Sequence, residues 1–189
     1  MGFLDSLFGG KSKLKAPAPD RLFAMTTAVE TLETGLNLKH RGVAGIVFQP
    51  LGTADFQGIV GETEELLQSA AADTGTQVES ADDQFGYRWL ILRDTEFEDL
   101  VVALNTVSTQ LQGGGYGDRL LACVFAFEEN GRPIYLIYNF KRGAYYPFIP
   151  SGKQSRDSER EMRLQAQLGA ELPWEQDMGR WFPLWEIPL

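Results

Sequence analysis

Residues 118–150 read DRLLACVFAFEENGRPIYLIYNFKRGAYYPFIP, and this stretch decides the fold. Two apolar runs, residues 120–127 and 134–140, flank a polar turn at residues 128–133. The turn contains Asn130-Gly131, a pair that tolerates the positive φ angles of a tight hairpin. Both faces of the first run are apolar, which is typical of a strand in the middle of a sheet. The stretch therefore predicts a central β-hairpin on which the rest of the chain packs.

Helical periodicity and strand-like runs fill most of the remaining chain. The predicted helices are residues 21–35, a helix starting at Thr53 or Asp55, a helix capped by Asp94 or Thr95 and ending at Gly113, and residues 155–168. In the second helix, the residues expected to face inward are Phe56, Ile59, Val60, Leu66 and Leu67. Further strands are predicted at residues 43–48, 76–80 and 87–92. The order α-β-α-β-β-α-β-β-α predicts an α+β fold with a mostly antiparallel sheet of about five strands and helices packed on it.

The two ends of the chain differ from its middle. The Trp- and Pro-rich tail, residues 171–189, is predicted to be extended because its prolines do not fit a helix or a central strand. Its tryptophans form either a lid on the core or a docking segment, and the lid is favoured because exposed tryptophans promote aggregation. The predicted domain organisation is a short N-terminal segment, which we call the foot, with its linker at residues 1–19, followed by a single α+β domain at residues 20–189.

The composition limits the classes of function. The chain has 189 residues, of which 43% are hydrophobic, so it can bury a sizeable core. A net charge of −9 argues against a nucleic-acid partner, which would require a basic face. Cys123 is the single cysteine, which fits a reducing cytoplasm. No apolar run is long enough for a membrane span, and no secretory signal is visible at the start.

The N-terminal foot, residues 1–10, reads MGFLDSLFGG and is amphipathic at helical spacing. A linker with three lysines follows it. The pattern predicts binding to an anionic membrane surface or to a partner, and the alternatives are an arm folded onto its own domain or a frayed tail. The expected membrane-binding residues are Phe3, Leu4, Leu7, Phe8, Lys11, Lys13 and Lys15.

No residue pattern indicates catalysis. The run Gly113-Gly114-Gly115 follows a helix and opens a strand, the reverse of a dinucleotide-binding loop. His40 is the only histidine, and Cys123 lies in a predicted buried strand, so a Cys/His pair is disfavoured. We therefore expect no enzyme, no catalytic residues, no metal site and no cofactor.

A partner surface is predicted where the second strand of the hairpin ends. Two cations precede a glycine and a group of aromatic residues, and arginine and tyrosine are favoured at protein interfaces. The expected partner-binding residues are Lys141, Arg142, Tyr145, Tyr146 and Phe148. The alternative is that the aromatic residues cover the edge of the core and the cations are solvated.

Four segments together resemble the PspAB family of phage-shock-protein-A-associated proteins, from actinobacteria and related bacteria. They are MGFLDSLFGG at residues 1–10, Leu22-Phe23-Ala24, KRGAYYPF at residues 141–148 and GRWFPLW at residues 179–185. The resemblance runs nearly end to end in order and spacing, although the run Gly113-Gly114-Gly115 and Leu38-Lys39-His40 depart from the pattern. It carries no catalytic residues.

The resemblance implies a cytoplasmic protein encoded beside phage shock protein A (PspA), a coiled-coil scaffold that binds stressed inner membranes. The first hypothesis is a non-enzymatic accessory or adaptor that binds PspA, its associated proteins or the inner face of the membrane. The second is a chaperone-like module that holds a helix of another protein. An enzyme of a third class would require a pocket lined by convergent polar groups.

Overall fold

The fold is described here for residues 20–189 in a computed structural model. The predicted foot and linker, residues 1–19, lie outside the described residues, and the boundary at residue 20 stays a prediction. The first helix, α1 (Asp20–Glu30), continues into a π-helical turn at Thr31–Gly35. Leu22, Met25 and Leu32 are buried along one side of it, as the apolar spacing predicts.

Six antiparallel strands form the main sheet, which confirms the predicted α+β class and adds one strand to the expected five. Their spatial order is β2-β3-β1-β4-β5-β6. The strands are β1 (Lys39–Phe48), β2 (Gln77–Asp82), β3 (Arg88–Arg93), β4 (Leu120–Glu129), β5 (Arg132–Asn139) and β6 (Ala144–Phe148). The predicted strand at residues 76–80 is the edge strand β2.

The β4–β5 hairpin lies inside the sheet, as predicted. Glu129 pairs with Arg132, and the two turn residues between them, Asn130 and Gly131, both have positive φ angles. Strand β4 has β1 on its other side. Its side chains are therefore buried on both faces of the sheet, which explains why both halves of its alternation are apolar.

Helices cover one face of the sheet. They are α2 (Ala54–Thr74), α3 (Phe97–Gly113) and α4 (Ser158–Leu168), together with α1. The Thr53 side chain caps α2 by accepting a hydrogen bond from the Phe56 N–H, so the helix begins at the first of the two predicted starts, Thr53 and Asp55. Helix α3 packs against α1, α2 and β1, and its buried side includes Leu100, Leu104 and Leu111. These contacts form one continuous core on this face.

The C-terminal tail covers the other face of the sheet. Trp181 is buried against the cluster formed by residues such as Val47 and Ile137. Four partly buried tail residues pack around the same cluster: Leu184, Trp185, Ile187 and Leu189. Trp174 is also buried, and it joins the core on the helical face. Trp174 and Trp181 therefore hold the tail against the core, which confirms the favoured interpretation of the tail as a lid rather than a docking segment.

Two segments differ from the predictions. The residues after the hairpin form the sixth strand, β6, which pairs with β5 from Asn139↔Ala144 to Tyr135↔Phe148. Pro147 fits there because β6 is an edge strand of the sheet, where proline is tolerated. The last helix starts at Ser158 rather than residue 155, because a small hairpin of β7 (Pro150–Gly152) and β8 (Ser155–Arg156) precedes it.

Candidate docking surfaces

The predicted cations lie in the turn between β5 and β6. Lys141 and Arg142 are both exposed there. The Arg142 Nε donates to Glu175 Oε2 of the tail at 2.8 Å, so this arginine already has a structural partner. Gly143 has a φ of 59° and its carbonyl accepts a hydrogen bond from Arg21 Nη1 at 3.0 Å. The turn therefore joins α1, the sheet and the tail, and Lys141 is its freely presented cation.

The three aromatic residues of the predicted partner surface are not at the surface. Tyr145, Tyr146 and Phe148 are buried in β6, because this segment continues the sheet instead of leaving it. The Tyr145 hydroxyl donates to the Leu22 carbonyl at 2.6 Å, and the Tyr146 hydroxyl donates to the Phe182 carbonyl at 3.0 Å. The expectation that these rings offer contact area to a partner is thus wrong for this conformation. They hold α1 and the tail onto the sheet.

Glu175 connects the tail to the β5–β6 turn. Burial alone would raise the pKa of the Glu175 carboxyl, but hydrogen bonds from the Asp177 N–H and from Arg142 outweigh it, so its pKa is below the ordinary value. The backbone of the same residue pairs with Tyr145, since the Glu175 N–H donates to the Tyr145 carbonyl at 2.8 Å. The ionised carboxylate therefore stabilises the attachment of the tail.

A second carboxylate, Glu161 of α4, organises the other end of this region. It is buried and accepts hydrogen bonds from the Ile149 N–H at 2.8 Å and from Arg156 Nε at 2.9 Å. Arg156 also donates to the carbonyls of Trp181 and Pro147. Burial raises the pKa of Glu161, and these donors only partly oppose that effect. Sequence reasoning missed this cluster: Arg156 and Glu161 are five residues apart, but the Trp181 carbonyl that Arg156 also contacts comes from the tail.

An apolar groove lies between α2 and α3, and sequence reasoning missed it. We call it the α2–α3 groove, and it has a volume of about 200 Å³. Leu66 and Val102 are 46% and 47% exposed on it, so the expectation that Leu66 faces the core is wrong. The lining residues are Leu66, Leu67, Ala70, Ala71, Thr74, Thr76, Val78, Asp99, Val102, Ala103 and Thr106.

Among residues 20–189, the one charged side chain that lines the groove, Asp99, is acidic. Residues 54–83, which include all of α2 and β2, contain eight aspartates and glutamates and no lysine or arginine. Helix α3 adds Glu98 and Asp99 and also has no basic residue. A ligand of this groove would therefore combine apolar side chains with positive charge.

Cys123 and His40, the residue types most often used in catalysis, make packing and backbone contacts in this structure. Cys123 is fully buried in β4, and burial raises the pKa of its thiol. The His40 ring packs edge-on against Phe97, and its Nδ1 accepts a hydrogen bond from the Gly42 N–H at 3.2 Å. Within residues 20–189, no group of three or more His, Cys, Asp or Glu residues could hold a metal ion. None of the helices in that range combines the length and apolar character of a membrane span.

These features define an α+β protein with an exposed turn that carries two cations and an apolar groove between two helices. A sequence model of the family described as PspA associated protein B matches residues 1–189, so the chain belongs to that family. The family expected from the four sequence segments is thereby confirmed. Comparisons with curated proteins and with solved structures give no match.

Proposed function

We propose that this protein is a non-enzymatic accessory or adaptor of the PspA envelope-stress system, which binds PspA-type coiled-coil proteins or their associated proteins. The observation that carries the proposal is the family match over all 189 residues, since the family is named for association with PspA. The burial of Cys123 and the structural role of His40 support an adaptor over an enzyme. No nucleic acid is among the proposed partners, because the net charge is −9.

The proposed contact with a PspA-type protein is made by the β5–β6 turn. Lys141 is exposed and Arg142 is close to it, so the turn can orient a helix that carries acidic positions. Tyr145, Tyr146 and Phe148 take part only by holding the turn in place from the core. Charges at the rim of an interface act mainly on association rate and specificity, so the rest of the contact area comes from neighbouring residues.

The proposed location is the cytoplasm, with a peripheral attachment at the inner face of the plasma membrane. The foot supports the attachment, because Phe3, Leu4, Leu7 and Phe8 recur at helical spacing in the sequence and Lys11, Lys13 and Lys15 follow them. Apolar side chains inserted among headgroups and lysines near anionic lipids are the usual combination for such binding. One such segment gives weak, reversible binding, which suits a protein that responds to stress.

A second candidate function is a chaperone-like module that holds a helix of another protein. The α2–α3 groove favours it, because exposed Leu66 and Val102 flank an apolar depression between two helices. Amphipathic helices bind in such grooves through apolar side chains three and four residues apart. Asp99 in the lining favours a partner helix that carries positive charge.

The test is a pull-down from cells under envelope stress with the full chain as bait. We expect a PspA-type protein to be captured by the parent and less of it by Lys141→Glu, with Lys153→Glu as the matched control, because Lys153 is an exposed lysine in another turn. A third bait without residues 1–10 shows whether capture requires the foot. Equal capture by Lys141→Glu and the parent would overturn the proposed contact, and no capture by any bait would overturn the adaptor role.

A further inference from the structure

We propose that the α2–α3 groove binds the N-terminal foot of the same chain, so that the foot is held on its own domain when it is not on a membrane. The proposal concerns residues 1–10 as the occupant and the lysines that follow as its electrostatic anchor. It does not depend on the binding of a PspA-type protein.

Charge complementarity is the first argument. Asp99 of α3 lines the α2–α3 groove, and α2, which forms its other wall, has five acidic residues and no basic one. The foot and linker carry Lys11, Lys13 and Lys15 against a single acidic residue of the foot, Asp5. Opposite charges on the two surfaces favour their association and fix its orientation. This makes the foot a better match for the groove than an acidic segment of the same chain.

The second argument is the match of apolar groups and size. The groove side of α2 runs from Leu66 to Thr74, which is about 12 Å of helix. The eight residues from Met1 to Phe8 would span a slightly shorter length, about 10 Å, if they were helical. The groove volume of about 200 Å³ is sufficient for one phenyl ring, since cavities of about 150 Å³ hold benzene. The groove can therefore hold one ring, that of Phe3 or of Phe8.

The third argument is reach. The start of α1 is fixed at the β6 edge of the sheet, where the Leu22 carbonyl accepts the Tyr145 hydroxyl at 2.6 Å. The groove is at the opposite edge, because Val78 of β2 lines it. Five strand spacings separate the two edges, which is about 24 Å. The eleven residues from 9 to 19 span up to about 36 Å when extended, so the foot can reach the groove within one chain.

The experiment compares crosslinking of the foot to two sites in the full chain. One variant carries Ser6→Cys with Thr106→Cys, a residue that lines the groove, and the other carries Ser6→Cys with Lys141→Cys. Both are treated with a short bismaleimide, and the native Cys123 reacts poorly because it is buried. Lys141 is the nearer site, since its turn contacts Arg21 at the start of α1 through Gly143. A foot that does not dock therefore crosslinks faster to the Lys141 position, whereas a docked foot crosslinks faster to Thr106.

We expect the Thr106 pair to form the intramolecular product at least about five times faster than the Lys141 pair. Adding Leu66→Gln and Val102→Gln should remove this preference, whereas Met162→Gln, an equally exposed apolar residue on α4, should leave it unchanged. Asp99→Asn provides a second groove variant that keeps the apolar surface, and it should reduce the preference. Anionic vesicles should also reduce it, an expectation that rests on the proposed membrane binding.

Equal rates, or faster reaction at the Lys141 position, would overturn the proposal. A crosslinked dimer as the main product would also overturn it, because the occupant would then be the foot of a second copy. Retention of the preference in the Leu66→Gln, Val102→Gln variant would place the foot elsewhere on the domain. None of these results bears on the binding of a PspA-type protein, so the adaptor proposal is tested separately.

Discussion

Trp181→Ala tests whether the tail is part of the core. Trp181 is 5% exposed, its indole Nε1 donates to the Glu175 carbonyl at 3.0 Å, and its own carbonyl accepts from Arg156. Truncation of a buried tryptophan typically costs about 3–5 kcal/mol, and loss of the indole N–H leaves a buried carbonyl without its donor. We therefore expect Trp181→Ala to lower the free energy of unfolding by about 4–5 kcal/mol, in the upper half of that range.

The assay is thermal unfolding followed by circular dichroism at 222 nm. For a chain of this size, 1 kcal/mol corresponds to about 2–4 °C, so the midpoint of Trp181→Ala should fall by about 8–20 °C. Phe182→Ala is the matched control, because Phe182 is the next residue, is 56% exposed and contributes only its backbone carbonyl to Tyr146. It should lower the midpoint by no more than about 2 °C.

A Trp181→Ala midpoint within about 3 °C of the parent would refute the reasoning, because a side chain that closes the core cannot be removed at so small a cost. The tail would then be a loosely held segment, and its aromatic residues would be available to a partner. A Phe182→Ala midpoint as low as that of Trp181→Ala would show that the tail as a whole, rather than the buried indole, determines stability.

Three further predictions use other parts of the structure. Arg142→Ala should reduce the gain in unfolding free energy between pH 3.5 and pH 7, measured with urea. In the parent, the pKa of Glu175 in the folded state is below its ordinary 4.5, so the ionised carboxylate stabilises the fold above pH 4.5 and this stabilisation is lost as the pH falls. The variant lacks the Arg142 hydrogen bond, which is one cause of the lowered pKa. An unchanged gain would contradict this coupling. Phe3→Ser with Phe8→Ser should abolish sedimentation of the full chain with anionic vesicles, and unchanged sedimentation would rule out the foot as a membrane contact. Cys123 should react with a thiol reagent only as the protein unfolds, because it is fully buried, so rapid labelling of the native protein would contradict the placement of β4.

Local signals account for the part of the fold that the sequence predicts. The pair Asn130-Gly131 requires positive φ angles whatever surrounds it, so the hairpin can be recognised from a few residues. Helical periodicity likewise marks α1 and α3, since their apolar residues recur on one face. The start of α2 can be narrowed to Thr53 or Asp55, because a capping side chain acts within a single turn.

The features that the sequence does not predict depend on long-range packing. In the sequence, strand β6 resembles a loop because Gly143 precedes it and Pro147 lies within it, and only its pairing with β5 makes it a strand. Leu66 has helical spacing for the core, but the gap between α2 and α3 leaves it exposed. The Glu161–Arg156 cluster depends on the Trp181 carbonyl, 25 residues along the chain from Arg156. No local pattern contains that information.

The adaptor role is tested most directly by the dissociation constant of the purified full chain for the PspA-type protein of the same cell. We predict saturable binding in the micromolar range or tighter, weakened about tenfold, or 1.4 kcal/mol, by Lys141→Glu and unchanged by Lys153→Glu. Absence of saturable binding between the two folded proteins would contradict the account.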